Sequence, residues 1–163
     1  EEKSTFIIIH IDEDLSNSVH LMEKEKGFKN YMDTDLAGKS IQVKSYTVPA
    51  SSHLLFEREI DNILNTPNLK GIFVSNSKIH VIAQQLEKRN LHFRLIGYDL
   101  LEENIHYLRK GIIQFIIHQN PKRQAKLGVR TLANYLLFAK KPQSLNLFPL
   151  EVITKNNLDS YQL

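Results

Sequence analysis

The chain has 163 residues, 42% of them hydrophobic and 24% charged, enough for a domain with a proper core and too apolar for a disordered chain. Its formal charge of +3, from 21 basic and 18 acidic residues, is small and scattered. That argues for solubility rather than a phosphate-binding face. With no cysteine there is no disulfide scaffold, thiol chemistry or cysteine metal site, a composition that fits a reducing cytosol.

The first β-rich run is FIIIHI at 6–11, and Asp12, Glu13 and Asp14 follow it directly. A second run, IQVKSYTV, occupies 41–48. In 56–66, Phe56, Ile60, Ile63 and Leu64 fall on one face of a helix. The strand GIFVS at 71–75 leads through Asn76 and Ser77, read as helix-start residues, into 78–90. There Ile79, Ile82, Ala83 and Leu86 keep the helical spacing. A fourth strand, FRLIGY at 93–98, ends at Asp99, and a fifth, IIQFIIH at 112–118, ends at Gln119 and Asn120. Asn120-Pro121 places a cap and an N1 proline ahead of a helix over 122–139, whose Ala125, Gly128, Val129, Leu132 and Leu136 share a face. A last strand reads at 150–154. The apolar runs are too short to span a bilayer, and no signal peptide is visible. The first residue is Glu1, not methionine, so a preceding segment is expected.

Strands alternating with helices mean βαβ units. The predicted fold is α/β: a doubly wound, mainly parallel sheet with helices on both faces, in three layers. In such sheets ligands bind beyond the carboxyl ends of the strands. The stretches His10 to Asp14, Ser75 to Ser77, Asp99 with Glu102 to Asn104, and Gln119-Asn120 all lie there and are rich in amides, hydroxyls and carboxylates. Taken singly, each is equally a helix cap or a solvated loop end. Several at one edge favour a site for a small polar ligand.

The catalytic motifs are missing. There is no GxGxxG after the first strand and no GxxxxGK[ST], so a nucleotide cofactor lacks its phosphate cradle. No G-x-S-x-G elbow occurs, and the seven histidines form neither HExxH nor HxxxH. Asp12, Glu13 and Asp14 suggest the hard-cation pocket of receiver domains. Ser75 and Gln119, however, stand where that chemistry needs an acid and a lysine. The reading is therefore a non-enzyme with no cofactor and no metal.

Four stretches in order then point to a family. GIFVSNSKIHVIAQQLEKR, FRLIGYDLLEEN and IIQFIIHQNPKRQAKLGVRTLANYLL, preceded by MEKEKGF at 22–28, resemble the effector-binding core of lactose-repressor (LacI) family transcription regulators. That core is of the type I periplasmic-binding-protein kind. The resemblance covers nearly the whole chain. It implies that Asp99 bonds ligand hydroxyls or anchors the loop beneath them, that Gln119 ends a strand at the cleft, and that Asn76 opens the following helix. Lys24 stands where the family carries a ligand-binding arginine, and Ser77 replaces a second acid. A lysine offers a point charge in place of a bidentate fork. With Asp12 at the first strand end, the candidate ligand-binding residues are Asp99, Gln119, Asn76, Lys24 and Asp12.

The implied function is binding of a small polar, sugar-like effector and homodimerisation in a cytoplasmic regulator. Operator DNA would be met only through an N-terminal helix-turn-helix outside this chain, and no membrane is involved. Effector closure of two lobes would shift the dimer between DNA-competent and incompetent states. The implied division gives residues 1–110 and about 145–163 to the C-terminal lobe and 111–144 to a crossover belonging to the N-terminal lobe. On that division Ile112, Ile113, Phe115, Ile116 and Ile117 would lie exposed here, so segment 112–142 is expected either to fold back onto this lobe or to pair with a second copy. A periplasmic solute-binding or sensor domain of the same fold is the main alternative, and a flavodoxin-like enzyme or receiver a more distant one.

Overall fold

Runs of isoleucine and valine form strands because branched side chains suit a pleated, covered surface. In the computed structural model, which describes residues 3–13, 18–36 and 39–161, six such runs pair into one sheet. The chain runs β1 (Ser4–Ile11), α1 (Val19–Thr34), β2 (Ile41–Val48), α2 (His53–Leu64), β3 (Leu69–Val74), α3 (Ile79–Lys88), β4 (Arg94–Tyr98), α4 (Glu102–Arg109), β5 (Phe115–His118), α5 (Pro121–Phe138) and β6 (Glu151–Ile153). The strand order is β2-β1-β3-β4-β5-β6. β1 to β5 are parallel and β6 runs antiparallel to β5. From β1 the connections depart in opposite directions, so the crevice between the ends of β1 and β3 is the switch point of the sheet.

Each face of the sheet has its own core. Ile7, Ile9, Ile11, Val74, Leu95 and Ile116 pack with Ile60, Ile63, Ile79, Ile82, Leu86, Ile105 and Leu108 of α2, α3 and α4. On the other face Ile8, Phe73 and Tyr98 are buried, and Phe28 of α1 stacks on Phe73 with ring centroids 5.2 Å apart. The three-layer reading of the sequence holds. Gly97 shows how closely the layers approach, because a Cβ there would come within 2.6 Å of Ile79 Cδ1 at the start of α3.

Two elements depart from the sequence reading. α4 is an addition to that reading: Ile105 and Leu108 supply its apolar side, and Glu102 and Glu103 favour its positive N-terminal end. Residues 112–117 do not lie exposed but fold onto this sheet. β5 pairs with β4 and β6, and Ile113 and Ile116 are buried in the larger core. What lacks a core here is the helix that follows. α5 has no buried residue, and Val129, Leu132 and Leu136 are all exposed.

This contrast gives a direct test by urea denaturation. Ile116→Ala should cost about 2–5 kcal/mol, the usual cost of truncating a buried isoleucine. Leu136→Ala should change stability by less than about 0.5 kcal/mol. Equal losses would mean that α5 is packed in solution.

Candidate functional site

The carboxyl ends of the strands are held in turns that ordinary L-residues avoid. Asp12 (φ 55°), Asp99 (φ 65°) and Asn120 (φ 52°) each follow a strand in the left-handed region. Asp and Asn tolerate that region best among residues with a Cβ. The chain there breaks sharply out of the sheet and leaves the side chains at its edge.

Asn104 fixes the central turn. It has no exposed surface, and its Nδ2 donates to the carbonyls of Ser77 (2.8 Å), Asp99 (2.9 Å) and Tyr98 (3.2 Å). Its Oδ1 accepts from the backbone N–H of His80 at 3.1 Å. One amide thus ties the β3–α3 loop, α3 and the β4 turn to α4. At the turn, Gln119 Nε2 donates to both carboxylate oxygens of Asp99, each at 3.2 Å. Beside them Lys24, reaching in from α1, lies over the Tyr98 ring at 3.7 Å and donates to the carbonyl of Ser75 at 3.0 Å. Burial lowers the ammonium's pKa, while the charges of Asp99 and Glu13 oppose the shift. Burial, with a smaller contribution from Asp99, pushes the Tyr98 phenol up to about 12, so it stays neutral.

Asp12 and Asn76 reach the same edge but are spent on bracing it. Asp12 Oδ1 accepts from the N–H groups of Ala50 (2.7 Å) and Ser51 (3.2 Å), and Oδ2 from Lys78 Nζ at 2.7 Å. The Lys78 hydrogen bond holds the carboxyl below its ordinary range, with the two backbone N–H groups helping against a raising effect of burial. Asn76 Nδ2 donates to Ile11 O (2.7 Å) and Glu13 Oε1 (3.0 Å), and its Oδ1 accepts from the Lys78 N–H at 3.3 Å. The Lys78 backbone, not Asn76, stands at the cap position of α3, which has no side-chain cap. Asn120 does cap α5, accepting from the Arg123 N–H at 3.2 Å.

All five sequence candidates therefore lie at one sheet edge. They divide into a cluster of Lys24, Asp99 and Gln119 and a brace of Asp12 and Asn76. Tyr98 and Lys78 also belong to this edge, and neither stands out in the sequence, whereas Glu13 lies in the His10 to Asp14 stretch that does. The charges of Glu13 and Asp99 face the one ammonium of Lys24, so this edge is rich in acceptors. Asp14 of the proposed cation set lies outside the described residues, and among those described no three metal-ligating side chains gather. No described helix is long and apolar enough to cross a membrane.

The model of the periplasmic binding protein domain family matches residues 3–141. The chain belongs to that family. Among solved structures, this periplasmic-binding-protein domain is similar to a Bacteroides fragilis protein assigned as a LacI transcriptional regulator, with 29% identity and a TM-score of 0.87. That match covers 98% of this chain and 56% of the other. It is also similar to GanP, a glucose-galactose binding protein from Geobacillus stearothermophilus, at 21% identity and a TM-score of 0.77, over 96% of this chain and 55% of that one. An Agrobacterium radiobacter carbohydrate transporter solute binding protein in complex with D-arabinose matches at 20% identity and a TM-score of 0.79, over 96% and 52% of the two chains. These last two establish the fold alone. No curated protein matches. The chain spans a little over half the length of the solved proteins it resembles.

The Asp12 brace carries a pH signature. Because its folded pKa lies below the unfolded value of about 3.9, it contributes stability above that value and loses it as pH falls through the folded pKa. Asp12→Asn should therefore lower stability at pH 7 by about 1 kcal/mol, a modest amount because the pair with Lys78 is partly exposed. The difference from wild type should shrink as the pH drops below about 4. A difference that persists to pH 2 would mean that the carboxylate charge is not what braces the edge.

Proposed function

We propose that this chain is the greater part of one lobe of a sugar-binding effector domain in a LacI-type transcription regulator. The observation that carries the reading is the half-buried cluster of Asp99, Gln119 and Lys24 at the sheet's carboxyl edge. Likeness to the Bacteroides fragilis protein over 98% of this chain supports it. Asp99 and Gln119 offer acceptors and donors at fixed angles, which suits vicinal hydroxyls. Lys24 lies against the apolar face of Tyr98. With Glu13 and Asp99 flanking Lys24, a neutral polyol fits better than an anion.

The lobe division follows in modified form. β5 stays with this sheet, the crossing begins at Gln119-Asn120, and α5 lies against a second lobe that the chain does not contain. Its exposed Val129, Leu132 and Leu136 are the surface that lobe would cover. Closure of the two lobes on the effector, dimerisation, and operator binding through an upstream helix-turn-helix complete the proposal, with the protein in the cytoplasm. A second reading, a solute-binding protein of a sugar transporter, is favoured by the glucose-galactose and D-arabinose binding neighbours. Either reading makes the chain a binding protein and not an enzyme.

Calorimetry on the full-length protein tests the site, using whichever of D-galactose, D-arabinose, D-allose or D-ribose raises its melting temperature. Asp99→Ala should weaken that sugar by one to two decades, the value of roughly 1.5–3 kcal/mol for a charge-assisted hydrogen bond. Unchanged affinity would reduce Asp99 to a turn residue and remove the reading's main support.

A further inference from the structure

Beneath the edge, on the sheet face covered by α1, runs a chain of polar groups that ligand contact does not require. His10, in the middle of the sheet, is 1% exposed and has both ring nitrogens engaged. Nδ1 lies 2.6 Å from Ser75 Oγ, and Nε2 lies 2.7 Å from Glu25 Oε2. The other oxygen of Glu25 accepts from the Lys29 ammonium and from Ser45 Oγ. The order Ser–His–Glu invites comparison with a nucleophile triad, but Ser75 has no exposed surface and cannot meet a substrate.

What the chain can do is hold a proton in two ways. With neutral His10, Nε2–H donates to Glu25 and the Ser75 hydroxyl donates to Nδ1. With the imidazolium, Nδ1–H donates to Ser75 Oγ, and the hydroxyl turns toward the Ile9 carbonyl 3.4 Å away. Burial raises the pKa of Glu25, but hydrogen bonds from Lys29, His10 and Ser45 outweigh it and hold the carboxyl below its ordinary range. The imidazole is the member of this chain whose two forms both keep its hydrogen bonds. Imidazole is the side chain suited to change charge between about pH 5 and 8.

Ser75 joins this chain to the edge, since its carbonyl is the acceptor that holds Lys24 at 3.0 Å. We propose that Ser75, His10 and Glu25 form a proton sensor for the binding edge. Protonation of His10 sets a second positive charge across Ser75 from Lys24 and loosens the ammonium from Ser75 and Tyr98, so ligand affinity falls as pH falls. The inference rests on reading Lys24 as facing the ligand. The charged and titratable groups around the sensor are Glu25, Lys29 and Lys24 from α1, and beyond Lys24 they are Glu13, Tyr98 and Asp99. β2 and β3 contribute the neutral hydroxyls of Ser45 and Ser75.

The proton itself serves as the probe, so the test needs no sugar. In the isotopically labelled chain, the His10 ring and Lys24 Cε resonances are followed by NMR between about pH 5 and 8. One common inflection is expected at both groups. Lys24→Met should move the His10 midpoint upward by a few tenths of a pH unit or more, because one like charge is gone. Lys155→Met, a change at an exposed lysine, should leave it in place. Lys24→Gln serves as the second variant should the methionine variant not fold. A His10 ring that does not titrate, a Lys24 signal without inflection, or an unmoved midpoint in the variant would each overturn the sensor. Those outcomes leave the sugar site untouched, since the Asp99 calorimetry judges it separately.

Discussion

The carboxyl edge of the sheet depends on the buried side-chain amide of Asn104. A parallel sheet ends in carbonyls and turns that must be satisfied before the edge can hold any fixed shape. By donating to three carbonyls from two loops and accepting an N–H from α3, Asn104 holds Asp99 in a left-handed turn that a free chain would leave. Remove it, and three carbonyls lose a partner, the buried one of Tyr98 at a cost of about 1–3 kcal/mol. Gln119 and Lys24 take their places relative to a turn that is already fixed.

This arrangement separates two kinds of polar residue that look alike in a sequence. Asp12 and Asn76 spend their hydrogen-bonding capacity within the protein and make the edge stiff. Asp99 and Gln119 bond mainly to each other, at 3.2 Å, a long contact that a ligand hydroxyl could replace or bridge. Pre-organisation of this kind lowers the entropy that a ligand must give up on binding.

Much of the fold was legible because its signals are local. Isoleucine-rich strands, the i, i+3, i+4 pattern of α2 and α3, and Asn120-Pro121 each declare themselves within a few residues. The site was legible only as a location. That Asp99 follows a strand can be read from FRLIGYD, but that Asn104 would hold it depends on α4, a short helix with two apolar residues on its inner side. The pairing of β5 with β4 and β6 is hard to read for a related reason. Family resemblance suggested a crossover, and the sequence does not say on which side of Gln119 the chain leaves its sheet. The His10 chain was invisible, since residues 10, 25 and 75 meet only once the sheet has formed.

On the function proposed above, ligand meets this protein at the carboxyl edge of the sheet. Hydrogen–deuterium exchange on the full-length protein, with and without a sugar that raises its melting temperature, tests it most directly. Added protection should concentrate at residues 10–13, 75–78, 98–104 and 118–124. Protection confined to the outer groove between α2 and α3, lined by His53, Glu57, Gln84 and Lys88, would contradict it.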